Sequence, residues 1–439
     1  MRTIYNIFFN LGFLIGAPFY FFRLWRRGNW RDGFGQRFGR YSSKIKQALT
    51  NRRVLWLHAV SVGEANLAAL LVKALTPKLP AFKFVVSTTT TTGMGELRRK
   101  LPGDVEKIYY PVDRRPWVRR ACAVLHPKAV ILIEAELWPN FLWHSRRRRF
   151  PVLLVNARIS DRSYRRYRRF GFLFREHFQE LAAVSTQNED DARRLADLGC
   201  RPDALHPVGS LKFEPPPATD QRPLDVHRLL IHAGCPEDAL ILLGGSTHDG
   251  EEAALAEIFQ RLRRRHPNLY LVLVPRHFER SRAVGSQLDR RGIRFVYRSE
   301  VNFGTQPKPG STDCLLVNST GELRHFYRHA SVVFVGKSLI GKGGQNPIEA
   351  ATSSRAIVFG PHMQNFRDIA QRFVDAEAAI QVDDSEGLES ALDQLLSDEP
   401  RRIQLGANAL KVVESGRGAL DRTVQMILDT LHQRGVLDD

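Results

Sequence analysis

The sequence predicts an α/β protein built from two doubly wound domains, each with a parallel sheet. A chain of 439 residues is too long for one ordinary core, so two domains of roughly 150–200 residues are expected. Short apolar runs alternate with helical stretches along most of the chain. This alternation is typical of βαβ units, and hence of parallel sheets covered on both faces. Four prolines interrupt it between residues 212 and 223, which predicts a linker.

The first half of the chain contains successive strand–helix pairs, which we assign to a domain at residues 45–211. "RVLWLHAV" is a predicted strand, and a helix follows from about Glu64 to Leu75. "FKFVVSTTT", "AVILIEAE" and "PVLLVNARIS" are further strands, each followed by a helix. The last pair, "AAVSTQNEDDARRLADLGC", ends at Gly199 as a helix C-cap.

The alternation restarts after the linker, which we place at residues 212–225. "ALILLGGST", "NLYLVLVP", "SVVFVG" and "RAIVFG" are predicted strands of a second domain at residues 226–410. A long helix from about Glu399 is expected to end the chain, with residues 411–439 as a C-terminal helical segment. Since open α/β sheets bind ligands beyond the carboxyl ends of their strands, functional residues are expected at these junctions, facing a cleft between the domains.

Composition and charge narrow the class of protein. Hydrophobic residues make up 43% of the chain and charged residues 25%, which excludes a disordered chain and a polytopic membrane protein. The net charge of +19 attracts phosphates, in nucleic acid, anionic lipid or a phosphorylated substrate, without choosing among them. The four cysteines form no CxxC pair, so free thiols in a reducing compartment are expected.

Residues 1–30 are predicted to be a membrane anchor. The apolar run from Ile4 to Phe22 is about long enough to cross a bilayer as a helix. It lacks the charge and cleavage site of a secretory signal, and the basic flank after it places the rest of the chain in the cytoplasm. Asn6, Asn10 and Pro18 weaken a span, so a helix lying in the membrane interface stays open. The alternative is a buried N-terminal helix.

Charged side chains at predicted strand ends of the first half are candidates for chemistry. Glu64 at the start of a helix suits the helix dipole, or it is a reactive group at a strand end. Glu134 and Glu136 end another strand. In "NARISDRSYRRYRRFGF", residues 156–172, arginines alternate with aromatic residues. Such a segment could stack nucleobases or lie among lipid headgroups, the alternative being a solvated helix face.

Two junctions of the second half resemble anion sites. "GGSTHDGEE", residues 244–252, places Ser246 and Thr247 at a predicted helix N-terminus, which favours anions. "LVPRHFER" ends a strand with Arg276 and His277, which suits a phosphate or carboxylate, although a solvated loop charge is the alternative.

The glycine-rich loop in "VGKSLIGKGGQNPIEAA", residues 335–351, resembles a phosphate cradle. It lacks the spacing of an ATP-binding P-loop or a dinucleotide fingerprint. Asn346 as N-cap, Pro347 at the first helical position and Glu349 at the third predict a well-formed helix start. The glycines indicate close approach of a ligand to the backbone.

The order of these motifs resembles the 3-deoxy-D-manno-octulosonic acid (Kdo) transferases of lipid A assembly. The matching segments are "HAVSVGE", "ELWPN", "NARISDRS", "GSLKFE", "GGSTHDGEE", "PRHFER", "GELRHFYRHASVVFVG" and "GGQNPIEAA". The resemblance implies the GT-B fold, in which two Rossmann-like domains face each other across a cleft. It also implies attachment to the cytoplasmic face of the inner membrane, and inverting transfer of Kdo from CMP-Kdo to a bisphosphorylated lipid A precursor.

The resemblance also implies roles for residues. Glu64 would be the general base that takes the proton of the acceptor hydroxyl, with its carboxylate kept ionised by the helix N-terminus, and Glu136 a second catalytic residue. The acceptor would be bound by Ser61, Gly63, Asn156, Arg158, Arg162 and Ser163. The donor would be bound by Ser246, Thr247, Arg276, His277, Gly321, Glu322, Lys337, Gly343, Gly344, Gln345, Asn346 and Glu349.

Neither a cofactor nor a metal is expected, because no DxD-like carboxylate pair stands at a suitable strand end. The expected partners are CMP-Kdo, the lipid A precursor and the anionic inner-membrane surface, without nucleic acid. The chain departs from the family pattern at Lys337, where the family usually has glycine, and at Gln345, where it has histidine. Glutamine keeps a hydrogen bond but not a charge, which bears on efficiency or donor preference.

Two alternatives remain. One is another nucleotide-sugar enzyme of GT-B fold, such as a UDP-sugar transferase or an epimerase. The anchor and the arginine-rich acceptor side disfavour an epimerase, which needs no membrane. The other is a non-enzymatic protein that binds anionic membranes or RNA, which would have no need of Glu64.

Overall fold

The computed structural model describes residues 2–26, 31–134, 137–214, 224–304 and 307–438. The chain divides into two compact units. The first unit comprises Met1–Ala218 and Gly416–Asp439, and the second comprises Thr219–Ser415. Within the described residues, each unit is built on one parallel sheet of seven strands, as the sequence predicts. Residues 215–223 of the predicted linker lie outside the described residues.

The sheet of the first unit has the order β3-β2-β1-β4-β5-β6-β7, with every neighbouring pair parallel. The chain first adds strands on one side of β1 and then on the other, so a topological switch point lies between β1 and β4. Ligands of doubly wound sheets bind beyond the carboxyl ends of the strands at such a point. The strands are β1 (Arg53–His58), β2 (Phe82–Thr88), β3 (Glu106–Tyr109), β4 (Pro127–Ile133), β5 (Val152–Ala157), β6 (Ala183–Thr186) and β7 (Leu205–Pro207).

Helices cover both faces of this sheet. Alternate residues of each strand point to opposite faces, so Leu57 of β1 joins one core cluster and Trp56 the other. The first cluster includes side chains of α3, α4 and α18, and the second includes side chains of α5, α6 and α8. The helices are α1 (Arg2–Arg26), α2 (Ser43–Leu49), α3 (Val62–Leu75), α4 (Thr91–Lys100), α5 (Arg115–Leu125), α6 (Pro139–Arg148), α7 (Asp161–Arg169), α8 (Gly171–Gln179), α9 (Glu189–Asp197) and, from the end of the chain, α18 (Ala419–Gln433).

The predicted anchor segment forms α1, and one face of this helix packs on the first unit. The Tyr5 hydroxyl donates to Asp113 Oδ2 at 2.9 Å, and Asn6 and Asn140 exchange two side-chain hydrogen bonds of 3.1 and 2.9 Å. The other face exposes large apolar side chains: Ile4, Ile7, Phe8, Leu11, Leu14, Ile15, Phe19, Phe22 and Trp25. In the part of the chain that the structure describes, no helix combines the length and the apolar character that crossing a membrane requires.

The second unit repeats the doubly wound design, with β8 between β9 and β12 in the order β10-β11-β9-β8-β12-β13-β14. Its strands are β8 (Leu240–Thr247), β9 (Leu269–Pro275), β10 (Phe295–Tyr297), β11 (Cys314–Leu316), β12 (Val332–Val335), β13 (Ala356–Phe359) and β14 (Ile380–Gln381). Its helices are α10 (Val226–His232), α11 (Glu251–Arg263), α12 (Ser281–Arg290), α13 (Leu323–Phe326), α14 (Ile348–Ala351), α15 (Arg367–Asp375), α16 (Ser385–Ser397) and α17 (Glu399–Gly416).

The prediction of one long C-terminal helix from about Glu399 is wrong, because two helices occupy this segment. Gly418 adopts a left-handed conformation (φ 83°) directly before α18, which breaks the helical path. At the end of α17, a Cβ on Gly416 would lie 2.5 Å from the ring of Phe213, so only glycine allows this approach. After the break, α18 packs on the sheet of the first unit. All four cysteines are buried free thiols, as predicted.

Candidate active site

Glu64 lies at the switch point of the first unit, in the first turn of α3. Ser61 is the N-cap of this helix: its Oγ accepts from Glu64 N at 3.2 Å and donates to Glu64 Oε1 at 2.8 Å. The other carboxylate oxygen, Oε2, accepts from Val60 N at 2.8 Å. This is a capping box, in which the helix cap and the glutamate hold each other. The carboxylate is therefore fixed in orientation beside the carboxyl end of β1.

Burial raises the pKa of Glu64, whose residue is only 9% exposed. The hydrogen bond from Val60 lowers the pKa, the negative charge of Glu134 raises it, and the bonds from Ser61 lower it. The sequence predicts that the helix N-terminus helps to keep this carboxylate ionised. In the structure, desolvation is the largest influence on its pKa and acts in the opposite direction. A carboxylate with a raised pKa is a stronger general base than an exposed one.

The end of the neighbouring strand β4 brings a second carboxylate to this edge. Glu134 has a left-handed backbone (φ 65°), and its N–H donates to Val155 O at 2.9 Å. Its carboxylate forms an ion pair of 2.9 Å with Lys212 Nζ. Left-handed conformations of non-glycine residues are strained and concentrate at functional sites. Lys212 lies in the "GSLKFE" motif, but the sequence predicts no role for it. Its contact partner Glu134 lies almost eighty residues earlier in the chain.

Asn156 continues the same edge at β5. Its backbone is also left-handed (φ 54°), and its Oδ1 accepts from Leu211 N at 3.0 Å. Its Nδ2 is buried and makes no hydrogen bond among the described residues. Buried amide donors are rarely left unpaired, so Asn156 is an unusual residue at this strand end. The structure thus brings the predicted Asn156 and the overlooked Lys212 to the strand ends beside Glu64.

The other residues predicted to bind the acceptor lie in the segments that follow β1 and β5. Ser61 and Gly63 are exposed in the turn that holds Glu64, and Arg158 lies half-buried after β5. Arg162 is exposed and Ser163 half-buried in the first turn of α7, where the N-cap Ser160 accepts from Ser163 N at 3.3 Å. Glu136 lies outside the described residues.

The arginines and aromatic residues of α7 belong to different environments. Five arginines are exposed: Arg162, Arg165, Arg166, Arg168 and Arg169. The two tyrosines instead pack against the core, with the Tyr164 hydroxyl donating to Asp197 at 2.6 Å and Tyr167 touching Phe178 edge-on. The two tyrosines are therefore not part of an exposed stacking surface, whereas Phe170 and Phe172 of the same segment are exposed. The helix offers cations, while its tyrosines hold it to the unit.

In the second unit, the structure corrects the interpretation of "GGSTHDGEE". Ser246 and Thr247 end strand β8, and α11 begins only at Glu251. Ser246 has a left-handed backbone (φ 54°) and is half-buried. Thr247 is fully buried, and its hydroxyl donates to Glu252 Oε1 at 3.0 Å. Thr247 therefore supports the junction, and its hydroxyl is not at a helix N-terminus.

Glu251 joins the strand-end loops of this unit, a role that the sequence argument missed. This buried carboxylate accepts from the backbone N–H of His248 at 2.9 Å, of Lys337 at 2.7 Å, of Ser338 at 2.9 Å and of Leu339 at 3.0 Å. It thus fixes the loop after β8 to the loop after β12. The signal in the sequence was an acid directly after "STHDG", which resembles an ordinary first-turn glutamate.

Four basic residues lie at the carboxyl ends of three adjacent strands, β9, β8 and β12. Arg276 and His277 are exposed after β9, and Lys337 follows β12 with a left-handed backbone (φ 58°). His248, after β8, lies between them, with its ring centroid 5.7 Å from that of His277. Burial lowers the pKa of His248, and the positive charge of Lys337 lowers it further. The cluster suits an anionic ligand.

The "GEL" segment, which contains the predicted donor-binding residues Gly321 and Glu322, forms a turn before a short helix. Gly321 has φ 83°, and Glu322 directly precedes α13. The Glu322 carboxylate accepts from Arg298 Nε at 3.0 Å and from Ser319 Oγ at 2.6 Å. Glu322 is thus held by a guanidinium and a hydroxyl of its own unit.

The glycine-rich loop differs from its prediction. Helix α14 has only four residues, Ile348–Ala351, and Pro347 precedes it instead of being its first residue. Asn346 Oδ1 accepts from Ile348 N at 3.1 Å, which is a local turn. Gln345 is half-buried and Glu349 exposed.

Packing within the protein explains two of the glycines of this loop. Gly343 and Gly344 have φ of 121° and 70°, and a Cβ on Gly343 would lie 2.6 Å from Asn365 Nδ2. A Cβ on Gly344 would overlap Met363 Sδ. These glycines therefore do not require a ligand at the backbone. The prediction that this loop binds a phosphate therefore depends on the positive charge of Lys337.

Within the described ranges, no group of three or more histidine, cysteine or acidic side chains is arranged to hold a metal ion.

Two parallel-sheet α/β units in sequence, each with charged residues at the strand ends, place the chain in the class of proteins that resemble GT-B glycosyltransferases. The fold is shared with the UDP-GlcNAc 2-epimerase of Neisseria meningitidis bound to UDP-GlcNAc, with a TM-score of 0.57 and 12% identity, covering 86% of this chain and 100% of that one. It is also shared with S. aureus MnaA in a structure with UDP, with a TM-score of 0.57, 14% identity, and coverage of 87% and 97%. These likenesses concern the fold alone.

Sequence comparison then gives the family. Residues 32–215 match the model of the family described as 3-deoxy-D-manno-octulosonic-acid transferase (kdotransferase). The 3-deoxy-D-manno-octulosonic acid transferase of Bordetella pertussis is 33% identical over 433 residues, 94% of this chain and 97% of the relative. That of Haemophilus influenzae is 29% identical over 400 residues, 91% of each chain. The chain belongs to the Kdo transferase family and is a glycosyltransferase.

Proposed function

We propose that this enzyme transfers Kdo from CMP-Kdo to the glucosamine disaccharide of a lipid A precursor in lipopolysaccharide biosynthesis, with inversion and with Glu64 as general base. One observation carries the assignment of the base: the Glu64 carboxylate is buried at the switch point of the first unit and oriented through both oxygens. The name of the family supports Kdo as the sugar that is transferred. The sequence motifs shared with the family support CMP-Kdo as the donor and a lipid A precursor as the acceptor.

In the proposed reaction, Glu64 accepts the proton of a primary hydroxyl of the disaccharide. The hydroxyl oxygen forms a bond to the anomeric carbon of Kdo from the face opposite the nucleotide. The bond between that carbon and the phosphate oxygen breaks, and CMP leaves with its electron pair. Burial, which raises the pKa of Glu64, strengthens the carboxylate as a base, while the bonds from Val60 and Ser61 keep it aimed.

The second unit would bind the donor. The phosphate of CMP and the carboxylate of Kdo both carry negative charge. Arg276 and His277 follow β9, and Lys337 follows β12, on either side of the central strand β8. Charge-assisted hydrogen bonds from such groups stabilise a leaving phosphate without a metal. On the acceptor side, the exposed arginines of α7 would pair with the phosphates of the disaccharide.

The test is the Glu64→Gln variant, which keeps the side-chain shape and removes the basic oxygen. Parent and variant are incubated with CMP-Kdo and a bisphosphorylated, acylated glucosamine disaccharide as acceptor, and the products are measured by mass spectrometry. We expect kcat to fall by about 10²–10⁴-fold, the usual contribution of a general base. Glu189→Gln is the matched control, because Glu189 also lies in the first turn of a helix after a strand but is exposed.

Full activity of Glu64→Gln would exclude Glu64 as the base. A parallel incubation with UDP-sugars separates this proposal from another nucleotide-sugar enzyme of the same fold. Transfer from UDP-sugars without transfer from CMP-Kdo would refute the donor assignment.

We also propose that the enzyme works at the cytoplasmic face of the inner membrane and that α1 attaches it there. The exposed face of α1 is apolar along its length, with Ile15 74% and Phe19 72% exposed. The opposite face is hydrogen-bonded to Asp113 and Asn140, so α1 is held along the first unit. Such a helix suits an interfacial position, with its apolar side among the acyl chains and arginines near the headgroups.

Vesicle binding tests this attachment. We expect the parent to sediment with vesicles containing phosphatidylglycerol, and the double variant Phe8→Glu, Ile15→Glu to stay in the supernatant. Ile403→Glu is the control, because Ile403 is also 62% exposed but lies on α17 of the second unit. Equal sedimentation of the α1 variant and the parent would contradict the attachment.

A further inference from the structure

We propose that Thr88 and Thr90, at the end of strand β2, are positioning residues for Glu64, and that Gly93 leaves the space they need. We call Thr88 and Thr90 the threonine clamp. This inference rests on the proposed role of Glu64 as base. It gives a function to the run "STTTTTG", residues 87–93, which the transferase motifs leave unexplained.

The two hydroxyls of the threonine clamp bind the same carbonyl. Thr88 Oγ1 donates to Val60 O at 3.2 Å, and Thr90 Oγ1 donates to Val60 O at 3.0 Å. Thr88 is fully buried at the end of β2, and Thr90 is the N-cap of α4. A carbonyl has two lone pairs, so this acceptor is fully used by side chains of the neighbouring strand.

The clamped carbonyl lies between the two groups that hold the Glu64 carboxylate. The Val60 N–H binds Oε2 and the Ser61 hydroxyl binds Oε1, each at 2.8 Å. Only three residues, 59–61, connect β1 to α3, and Ala59 N also donates to Ser87 O of β2 at 2.9 Å. Fixing the peptide that joins Val60 to Ser61 therefore fixes both donors. The end of β2 thus determines where the carboxylate points.

The position of Gly93 also supports a positioning role for the two threonine hydroxyls. A Cβ at Gly93 would lie 2.5 Å from Thr88 Oγ1 and 2.8 Å from Thr90 Oγ1. Gly93 is the third residue of α4 and does not have a positive φ, so no special backbone conformation requires glycine. Glycine is a poor helix former. Its use here follows from the space that the two hydroxyls occupy.

Loss of the threonine clamp changes the proton affinity of Glu64 in a definite direction. The bond from Val60 N–H lowers the Glu64 pKa, so a displaced Val60 raises that pKa further. A base must be deprotonated to act, so the acidic limb of the pH profile of kcat/KM moves to higher pH. KM for CMP-Kdo stays unchanged, because the proposed donor residues belong to the second unit.

The experiment compares pH profiles of four variants with the parent. Thr88→Val removes a hydroxyl at nearly constant shape, and Gly93→Ala keeps both hydroxyls but crowds them. For both we expect the acidic limb to move up by about one pH unit, a tenfold change in the protonation constant. Thr88→Ser, which restores the hydroxyl, and Thr91→Val, a control from the same run, are expected to follow the parent.

Two results would overturn the proposal in distinguishable ways. Parent-like profiles for both Thr88→Val and Gly93→Ala, with Glu64→Gln inactive, would refute the threonine clamp and leave the proposed function intact. An active Glu64→Gln would refute the proposed function and the positioning role together. If Thr88→Val does not fold, Gly93→Ala decides, and NMR titration of the carboxyl carbon of Glu64 in labelled protein reads the pKa without any assay of transfer.

Discussion

Asp113 connects α1 to the first unit, and its burial makes the stability of this unit depend on pH. Its carboxylate accepts from Asn140 N at 2.9 Å, from Phe141 N at 3.0 Å and from the Tyr5 hydroxyl at 2.9 Å. Complete burial outweighs these bonds and raises the pKa of Asp113 from 3.8 to about 6. The unfolded chain, where this aspartate is exposed, keeps the ordinary value.

The sign and size of the effect follow from this difference. A carboxyl whose pKa is raised on folding contributes stability that is fully present below the unfolded pKa of 3.8 and lost as pH rises through about 6. Since one pKa unit is worth about 1.4 kcal/mol, the whole contribution amounts to about 3 kcal/mol, of which about 2 kcal/mol is lost between pH 4 and pH 7. Asp113→Asn removes the titrating group, so its free energy of unfolding should lack this part of the pH dependence.

Tryptophan fluorescence can measure the first unit alone, because all six tryptophans lie between residues 25 and 143. Denaturant unfolding of parent and Asp113→Asn is followed at pH 4 and pH 7. We expect the stability advantage of the parent over the variant to be about 2 kcal/mol larger at pH 4 than at pH 7. Asp104→Asn, an exposed aspartate of the same unit, is the control. An advantage that is equal at both pH values would refute the reasoning.

Three further predictions concern charges at the strand ends. Glu134→Gln removes a negative charge that raises the pKa of Glu64, so the acidic limb of the kcat/KM profile should move to lower pH in a pH-rate measurement. Glu251→Gln leaves buried N–H groups of two loops unpaired, so thermal unfolding followed by circular dichroism should show a loss of about 3 kcal/mol or more, and KM for CMP-Kdo should rise at least tenfold. Lys337→Gly relieves a left-handed backbone while removing a cation, so steady-state kinetics should show a higher KM for CMP-Kdo and calorimetry a slightly higher Tm.

The sequence predicted the sheets well because their signal is local. The apolar run "RVLWLHAV" became β1, Arg53–His58, and the helix expected from Glu64 became α3, Val62–Leu75. A parallel strand buried on both faces must be apolar throughout, so a short window of residues is enough to find it. The position of Glu64 at a strand end followed from the same pattern.

The failures arose where contacts join distant parts of the chain. The glycines of the loop before α14 were assigned to a ligand, whereas Gly343 and Gly344 face Asn365 and Met363, about twenty residues later. Ser246 was predicted to lie at a helix start, whereas it lies near the end of strand β8 with a left-handed backbone. The pairing of Glu134 with Lys212 is equally invisible to a window of sequence. Local patterns locate elements, and they do not determine which strand ends meet.

The orientation of Glu64 is a property of the sheet as much as of its own turn. Val60, two residues before the helix of Glu64, is held by the threonine clamp at the end of β2. The hydrogen-bond donors to Glu64 come from the turn after β1, and the charge that raises its pKa comes from Glu134 after β4. These are three adjacent strands, whose carboxyl ends parallel pairing brings to one edge. A side chain held by strand ends loses little orientation when a substrate binds. Substitutions at this edge should therefore change kcat and its pH dependence, whereas substitutions of Arg276 or Lys337 should change KM for the donor.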